Sequence, residues 1–482
     1  MIISCKPFVC ALLLAGLGAS VSGVAHSADY YRVVPLQSSS PNDGATEVRL
    51  DLQAGALPKA TAGHSFSYDL TPHLRIVGDQ KARPGDAQWT ANEQLPPGLA
   101  LSPSGLLSGT PSLKSSTPTS FTVTAGFRDK TAEQAFSLEV LGQPLRAVNV
   151  GVGPMHACAI TPESTVWCWG RGAQGQLGNG TKITSTSEPV QVVGLVGATA
   201  LAMSQGNTCA IASGALHCWG FRVAQGGTAE ALTPHRVASS GVTDVTASEG
   251  DICYVQNGSA KCFAGSFGGD GTKQIPGLES GVTSIAAGNY HFCAVQSGSV
   301  KCWGEGRKGE LGDGRSENSV DPVQVVGLPS GISQVAAGPT ASCAHSPAGA
   351  WCWGQNLQFN LGLGDVTGDN WGNVTTAHLV VGGAGTSSIA MGRTRTCFLQ
   401  SSTVKCAGES QHEGIGLPPR SGFVRVMEVV PGLESGVTAV AAKANATCVV
   451  HEGFAKCFGK NVQGLLGDGS TIDRFTPEPV RR

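Results

Sequence analysis

Fourteen cysteines of this chain form seven pairs, and cysteine pairs can form disulfides, bind zinc or remain as buried free thiols. Zinc sites usually place their ligands two to four residues apart. Here the partners are nine positions apart in six pairs and ten in the first, so the spacing favours disulfides over a metal site. The pairs are Cys158 with Cys168, Cys209 with Cys218, Cys253 with Cys262, Cys293 with Cys302, Cys343 with Cys352, Cys397 with Cys406 and Cys448 with Cys457.

A tight β-hairpin would hold each pair. In "CAVQSGSVKC", a two-residue turn at Ser297-Gly298 places Cys293 opposite Cys302. Counting from the turn puts this pair on a non-hydrogen-bonded site of the ladder, where side chains are close enough for a disulfide. Asn257-Gly258 occupies the same turn in another copy and is a strong hairpin signal, whereas the first copy has one extra residue and needs a longer turn. We expect the bridges to be structural.

Two glycine-rich stretches, 170–175 and 304–309, fit the G-x-G-x-x-G pattern of dinucleotide sites. Such a site needs a helix immediately afterwards to hold the pyrophosphate, but turn residues follow both stretches. No H-E-x-x-H, G-x-S-x-G or paired-carboxylate pattern occurs, and of eleven histidines only His156 and His291 share a repeat position. We therefore interpret both stretches as loops and expect no enzyme, no metal site and no cofactor.

The elements that carry these residues form a repeat. Successive first cysteines lie 40 to 54 residues apart, and each unit reads as four short strands, such as "VTSIAAG", "HFCAV", "VKCWG" and "PVQVVG". Four-stranded units of this length are typical of β-propeller blades; an open solenoid, the alternative, would need polar capping repeats, which neither end shows. We predict seven blades in a closed ring, with Arg146–Val150 as the first strand and Val480 beside it.

An aromatic residue follows the second cysteine in six copies, and alanine does so in the sixth copy along the chain. This pattern predicts packing between neighbouring blades rather than a ligand cage. The residues are Trp169, Trp219, Phe263, Trp303, Trp353, Ala407 and Phe458.

The repeat resembles the regulator of chromosome condensation family, through "WGRGAQGQLGNG" at 169–180, "WGEGRKGELGDG" at 303–314 and "FGKNVQGLLGDG" at 458–469. The resemblance covers residues 146–482 and implies a seven-bladed propeller. The member that names the family exchanges nucleotide on the GTPase Ran in nuclei, a context that an exported chain does not share. Secreted bacterial relatives that inhibit β-lactamases use the same fold purely as a binding surface, and "SGVTSIAAGNYH" is similar to their repeats.

The N-terminal third contains "LPPGLALSPSGLLSGTPS" at 95–112, flanked by alternating stretches such as "HSFSYDL" and "TSFTVTAGF". The motif resembles that of the immunoglobulin-like domains of bacterial exported proteins. We therefore predict an all-β chain: an immunoglobulin-like β-sandwich at 51–142 and a seven-bladed β-propeller at 146–482. Residues 29–50 form the predicted linker, and 142–147 the joint between the domains.

Residues 1–28 have the layout of a secretory signal peptide, with Lys6, a short apolar run and small residues before Ala25 and Ala28, either of which suits cleavage. We therefore expect a secreted, periplasmic or cell-surface protein whose cysteines meet an oxidising compartment. With 32 basic and 34 acidic residues the chain lacks the basic field that attracts nucleic acid. No later stretch has the length and apolarity of a membrane helix.

The partner is expected to be a protein, bound at one face of the propeller; a structural or adhesive role with glycan contacts is the alternative, and nucleotide exchange ranks behind both. Chain direction brings the corner between first and second strands to the same face as the glycine-rich loops. Predicted contacts are Trp371, which lies outside every repeat position on the longest loop, and the corner residues Tyr290, His291, His156 and Arg395. For His156 and His291, a hydrogen bond that ties the corner is an equally open alternative.

Overall fold

The computed structural model describes residues 47–92, 94–115, 117–224, 229–264, 272–364, 372–410, 416–417 and 422–482. The predicted signal peptide lies outside these residues, as does most of the predicted linker. The linker is shorter than predicted, because the first strand begins at Arg49 and pairs Leu50 with Ile76.

The N-terminal region is a small all-β unit around its own core. Alternating side chains of the long hairpin β8–β9 point inward, where Phe121 and Leu138 are buried together with Trp89 and Leu107. The sheets have the orders β1-β4, β2-β10, β3-β7-β6 and β5-β8-β9. The strands are β1 (Arg49–Leu52), β2 (Ala60–Thr61), β3 (Phe66–Asp69), β4 (Leu74–Val77), β5 (Gln88–Ala91), β6 (Leu99–Leu101), β7 (Leu106–Gly109), β8 (Thr119–Phe127), β9 (Lys130–Leu138) and β10 (Val140–Leu141).

The proline- and glycine-rich motif of this unit forms the hairpin β6–β7, which pairs Leu101 with Leu107. Gly98 and Gly109 both adopt positive φ angles, of 92° and 140°. A Cβ atom on Gly98 would lie 2.1 Å from the carbonyl oxygen of Thr110, and one on Gly109 would lie 2.2 Å from that of Gly98. The backbones at these two strand ends can therefore approach each other this closely only because both residues are glycine.

The described residues after the N-terminal region form seven antiparallel four-stranded sheets, each with its strands in sequence order. Blades 1 to 7 are these sheets in chain order. Blade 1 contains β11 (Asn149–Val152), β12 (His156–Ile160), β13 (Val166–Gly172) and β14 (Ile183–Gln191); blade 2 contains β15 (Ala198–Met203), β16 (Asn207–Ala212), β17 (Ala215–Ala224) and β18 (Ala229–Ala238); blade 3 contains β19 (Val242–Ala247), β20 (Asp251–Gln256), β21 (Ser259–Ala264) and β22 (Lys273–Gln274). Blade 4 contains β23 (Val282–Ala287), β24 (His291–Gln296), β25 (Ser299–Gly304) and β26 (Ser319–Gln324); blade 5 contains β27 (Gln334–Ala337), β28 (Ala341–Ser346), β29 (Gly349–Gln355) and β30 (Asn373–Leu379). Blade 6 contains β31 (Thr386–Met391), β32 (Arg395–Gln400), β33 (Thr403–Glu409) and β34 (Phe423–Val429); blade 7 contains β35 (Val437–Lys443), β36 (Ala446–His451), β37 (Phe454–Gly459) and β38 (Arg474–Pro479).

The predicted disulfides are confirmed, as are the all-β fold and the seven blades. All seven cysteine pairs are bonded within their own hairpins, with Cα–Cα distances of 4.0 to 4.1 Å. The bonds join Cys158 to Cys168, Cys209 to Cys218, Cys253 to Cys262, Cys293 to Cys302, Cys343 to Cys352, Cys397 to Cys406 and Cys448 to Cys457. Each disulfide therefore links the second and third strands of one blade, and none crosses between blades.

The register of these hairpins also follows the prediction. The Ser297-Gly298 turn has positive φ at both residues, 50° and 78°, and it pairs Cys293 with Cys302. The fourth strand of blade 4 is offset from the prediction: it begins at Ser319 and ends at Gln324, because a register shift follows the Cys302 pair.

The aromatic residue after the second cysteine packs between blades, as predicted. Trp169, Trp219 and Trp353 are fully buried, and each indole N–H donates a 2.8 Å hydrogen bond to a carbonyl of the preceding blade's glycine-rich loop. The acceptors are Leu465, Gln176 and Glu310. Buried indole N–H groups normally find such a partner, so each tryptophan both packs against and hydrogen-bonds the neighbouring blade.

The ring is closed by the segment that joins the two domains. Leu145 donates to the carbonyl of Val480 and accepts from the N–H of Ala455, so the segment adds to blade 7. Trp169 of blade 1 binds the blade 7 loop, and Arg482 exchanges two backbone hydrogen bonds with Gln143. The ends of the propeller therefore lie side by side, as predicted, and the N-terminal region enters directly beside them.

Candidate functional site: the corner face

The two faces of the propeller differ as chain direction predicts. One face, here the corner face, carries the corners between first and second strands, such as 288–290 in blade 4, and the long loops between third and fourth strands. His156 pairs with Gly170 in the ladder, which places a corner directly beside a glycine-rich loop. The opposite face, here the turn face, carries the short hairpin turns such as Asn257-Gly258.

Two cavities follow the propeller axis. The first, here the funnel, opens on the corner face with a volume of about 700 Å³. Corner and loop residues line it, among them Glu249, Lys308, Arg393, Glu409 and Lys443. The second, here the channel, has a volume of about 410 Å³ and is lined by the first strands of the seven blades.

Lys443 separates the two cavities, since it alone among the residues described lines both. It ends the first strand of blade 7, and its Nζ donates a 3.0 Å hydrogen bond to the carbonyl oxygen of Ala247 in blade 3. Enclosure by the ring lowers the pKa of Lys443 to about 8, although the charge of Glu249 acts in the opposite direction. The side chain remains partly exposed to the cavity space.

The structure separates the predicted contact residues into three groups. Tyr290 is 59% exposed on the corner face, so it remains a candidate. Trp371 lies outside the described residues. His156, His291 and Arg395 are at most 1% exposed, because each points into the neighbouring blade rather than to solvent. The prediction that these three side chains contact a partner is therefore withdrawn, and the alternative of a tied corner fits both histidines.

The buried corner residues tie each blade to the next. His156 Nε2 lies 2.7 Å from Thr208 Oγ1, and the Thr208 hydroxyl donates to the carbonyl oxygen of Gln176, which also accepts from Trp219. The same arrangement joins blades 4 and 5, where His291 Nε2 lies 2.8 Å from Ser342 Oγ. In blade 6, Arg395 Nε donates to Thr447 of blade 7 over 2.9 Å.

The hydrogen bonds fix the protonation state of His156. Since the Thr208 hydroxyl donates to Gln176, it must accept from His156, so Nε2 carries the proton and the ring is neutral. Nδ1 is buried without a hydrogen-bond partner, and a second proton there would be an unpaired buried charge. Burial, reinforced by the charge of Arg171, lowers the pKa of His156 to about 3. Burial and then Lys443 lower the pKa of His291 to about 4.

Sequence reasoning missed Lys443 and Arg393. Lys443 stands where the other blades have glycine or serine, so its departure from the repeat was the available signal. Arg393 is exposed in the corner of blade 6, two residues before the buried Arg395. Within the described ranges no group of three or more His, Cys, Asp or Glu side chains could hold a metal ion. Those ranges also contain no helix that is long and apolar enough to cross a bilayer.

Together, the fold and the corner face define a disulfide-stapled propeller that presents one loop-bearing surface around a central funnel. Comparison with known protein families identifies the repeat that builds the blades. The regulator of chromosome condensation (RCC1) repeat matches residues 163–213 and 297–345, with a second form of the repeat at 282–310. The family described as "Putative Ig domain" matches residues 51–141. The chain thus carries RCC1 repeats behind an immunoglobulin-like domain.

Known proteins are similar to this chain in sequence over a short stretch or in the fold of the propeller. A stretch of 76 residues is 41% identical to the X-linked retinitis pigmentosa GTPase regulator homolog of Caenorhabditis elegans, spanning 15% of this chain and only 5% of that protein. Prp20p of Saccharomyces cerevisiae, whose structure was described with its binding to Gsp1p and histones, matches with a TM-score of 0.53 and 20% identity, over 61% of this chain and 80% of that one. Yeast RCC1 (Prp20) bound to Kap60 gives 0.57 and 18%, over 70% and 86%. Human WBSCR16 gives 0.56 and 18%, over 66% and 94%. At such identities these likenesses show the fold alone.

Proposed function

We propose that this protein is an exported, non-catalytic binding module that holds another protein against its corner face. The observation that carries the proposal is the contrast between a fixed scaffold and unequal loops. Seven disulfides and the buried corner hydrogen bonds fix the blades, while the stretch of sequence between the third and fourth strands varies: these strands end and begin at Ala224 and Ala229 in blade 2 but at Gln355 and Asn373 in blade 5. A rigid scaffold that presents such loops lowers the ordering cost of association.

The exposed chemistry of the corner face suits a protein partner. Tyr290 is exposed in the corner of blade 4, next to the funnel-lining Asn289, and Arg393 and Lys308 are exposed where they line the funnel. Tyrosine, tryptophan and arginine dominate the binding energy of protein interfaces. Trp371 stays a candidate anchor on its sequence position alone.

Family and compartment support the same function. The yeast relative is described as binding Gsp1p and histones, so the fold serves there as a surface for proteins. Seven disulfides and an immunoglobulin-like domain fit an oxidising compartment outside the cytoplasm. Cell-surface adhesion through glycans is the second candidate, but no observation in the described residues favours it.

The test compares the two faces in binding. The full-length protein captures its partner from the medium or envelope of the cells that produce it, and the affinity is then measured for matched variants. Tyr290→Ala and Arg393→Ala on the corner face should each weaken binding about tenfold or more, whereas Asn257→Ala and Glu452→Ala on the turn face should leave it unchanged. All four side chains are exposed, and since Asn257 and Glu452 have φ angles of 52° the turn-face variants are checked for folding by urea unfolding before binding is measured. Loss of binding in the turn-face variants with normal binding in the corner-face variants would refute the proposal.

A further inference from the structure

Lys443 departs from the repeat at a position where every other blade has a side chain of at most two heavy atoms. The equivalent residue lies three positions before the start of the second strand and is Gly153, Ser204, Ser248, Gly288, Gly338 or Gly392. A lysine here places a flexible cation on the propeller axis, at the floor of the funnel. The other six blades pack against their neighbours without a charge at this position, so packing of the ring does not explain the lysine.

The described residues use only part of the donor capacity of the Lys443 ammonium group. It has three donor hydrogens, and the one hydrogen bond that it makes to a described residue goes to the carbonyl oxygen of Ala247. Glu249 attracts it, but no carboxylate within the described ranges lies inside the 4.0 Å of an ion pair. Because the charge of Lys443 is partly withdrawn from water and has no ion pair among the described residues, an incoming anion would gain from this group.

Two further cations face the same cavity. Arg393 and Lys308 are exposed at the rim, and neither side chain forms an ion pair with a described residue. Of the two carboxylates that line the funnel, Glu409 is buried and accepts from Thr394 Oγ1. Three cations against two carboxylates leave a formal charge of +1, which suits a single negative charge better than a doubly charged phosphate.

We infer that the funnel receives a carboxylate from the protein that covers the corner face, with Lys443 as its deepest contact and Arg393 and Lys308 at the entrance. The inference rests on the proposed function. An aspartate or glutamate side chain, or a chain end, fits a cavity of about 700 Å³. A nucleic acid duplex or a bilayer surface is too wide to reach Lys443 at the floor.

The probe is the peptide acetyl-Gly-Glu-Gly-amide, with acetyl-Gly-Gln-Gly-amide as the neutral control. Binding is followed by NMR on the full-length protein with ¹³C-methylated lysines, and the Lys443 signal is assigned by its loss in Lys443→Met. The glutamyl peptide should bind at least about tenfold more tightly than the glutaminyl peptide, equivalent to ~1.4 kcal/mol. It should also raise the pKa of Lys443 from about 8 toward its ordinary value. Equal binding of both peptides, or an unmoved Lys443 signal, would overturn the inference.

Two variants separate charge from shape. Lys443→Met keeps a long side chain without the charge and should reduce glutamyl-peptide binding about tenfold or more; Lys443→Gly restores the residue of four other blades and should do the same while opening the channel. Lys59→Met, on the N-terminal region, is the control and should bind as the parent does. If Lys443→Met binds the glutamyl peptide normally, the cation is not the contact and the inference is wrong.

The captured partner distinguishes this inference from the proposed function. If Tyr290→Ala weakens binding of the partner but Lys443→Met does not, the proposed function stands and the carboxylate contact is wrong. A glutamyl peptide that binds at Lys443 while no protein binds the corner face would identify a site for free small carboxylates, which overturns both the protein source and the proposed function.

Discussion

Acid should destabilise the propeller through His156 and His291. Both are neutral, buried and hydrogen-bonded to the next blade, with pKa values lowered to about 3 and about 4 from an ordinary value near 6.5. The unfolded chain therefore binds protons below about pH 6.5 that the folded chain does not bind until the pH falls to about 3 to 4. By linkage, the stability that these histidines contribute is present above pH 6.5 and is lost as the pH falls through this window.

The size of the effect follows from the width of the window. Between pH 7 and pH 5 each histidine loses about 2 kcal/mol, or about 4 kcal/mol for the pair. Asp244 acts in the opposite direction, because burial raises its pKa to about 6 and the folded protein takes up a proton as the pH falls. This proton uptake stabilises the folded protein by about 1 kcal/mol between pH 7 and pH 5. The three groups together should therefore lower the free energy of unfolding by roughly 3 kcal/mol.

The assay is urea unfolding of the parent and of the double variant His156→Gln/His291→Gln at pH 7 and pH 5. Glutamine can keep the donor to Thr208 or Ser342 but does not titrate. Seven of the eight tryptophans lie in the propeller, so their fluorescence reports its transition. The parent should lose about 4 kcal/mol more than the double variant between the two pH values. An equal loss in both proteins would refute the buried, neutral assignment of the two histidines.

Three further predictions concern the packing between blades and the disulfides within them. Gly312→Ala should lower the free energy of unfolding, measured in urea, by about 1 to 3 kcal/mol more than Gly331→Ala does. Both residues have positive φ, but only a Cβ on Gly312 would meet Trp353, at 2.8 Å. An equal loss of stability in the two variants would contradict the close approach of Gly312 to the indole. Thr208→Val should lower the free energy of unfolding by about 1 to 3 kcal/mol, because it removes the hydroxyl that accepts from His156. The hydroxyl of Thr396 is buried without a hydrogen-bond partner among the described residues, so Thr396→Val should leave the free energy of unfolding unchanged or raise it. The reverse order of stabilities would refute the corner hydrogen bond. Non-reducing peptide mapping should find seven links within hairpins, and links between blades would overturn the assigned pairing.

Local rules predicted the hairpins, because their register depends on neighbours in the chain. A two-residue turn and the alternation of strand side chains decide that Cys293 faces Cys302, and no distant contact changes that outcome. The aromatic positions were equally predictable, since a residue next to a cysteine points to the opposite side of its sheet. The predicted starts of some strands were wrong where a bulge intervened, as in β26.

The corner residues could not be placed in the same way. His156 is buried because Thr208, 52 positions later, offers its hydroxyl from the next blade, and no local pattern in the first blade shows this contact. A comparison of successive copies could have found it: a hydroxyl-bearing residue follows the corner in the blade after each buried histidine, as Ser342 does after His291. The reach of Lys443 across the axis to Ala247 depends on the closed ring as a whole.

The most direct test of the corner face is site-specific photocrosslinking. A photoreactive phenylalanine analogue is placed either at Tyr290 on the corner face or at Asn257 on the turn face of the full-length protein, and each protein is irradiated with the captured partner. Both positions are exposed, but Asn257 has a φ of 52° in its turn, where a bulky residue is strained, so the folding of both proteins is checked by tryptophan fluorescence before irradiation. If the partner lies on the corner face, we expect a covalent adduct from position 290 and none from position 257. An adduct from position 257 alone would contradict it.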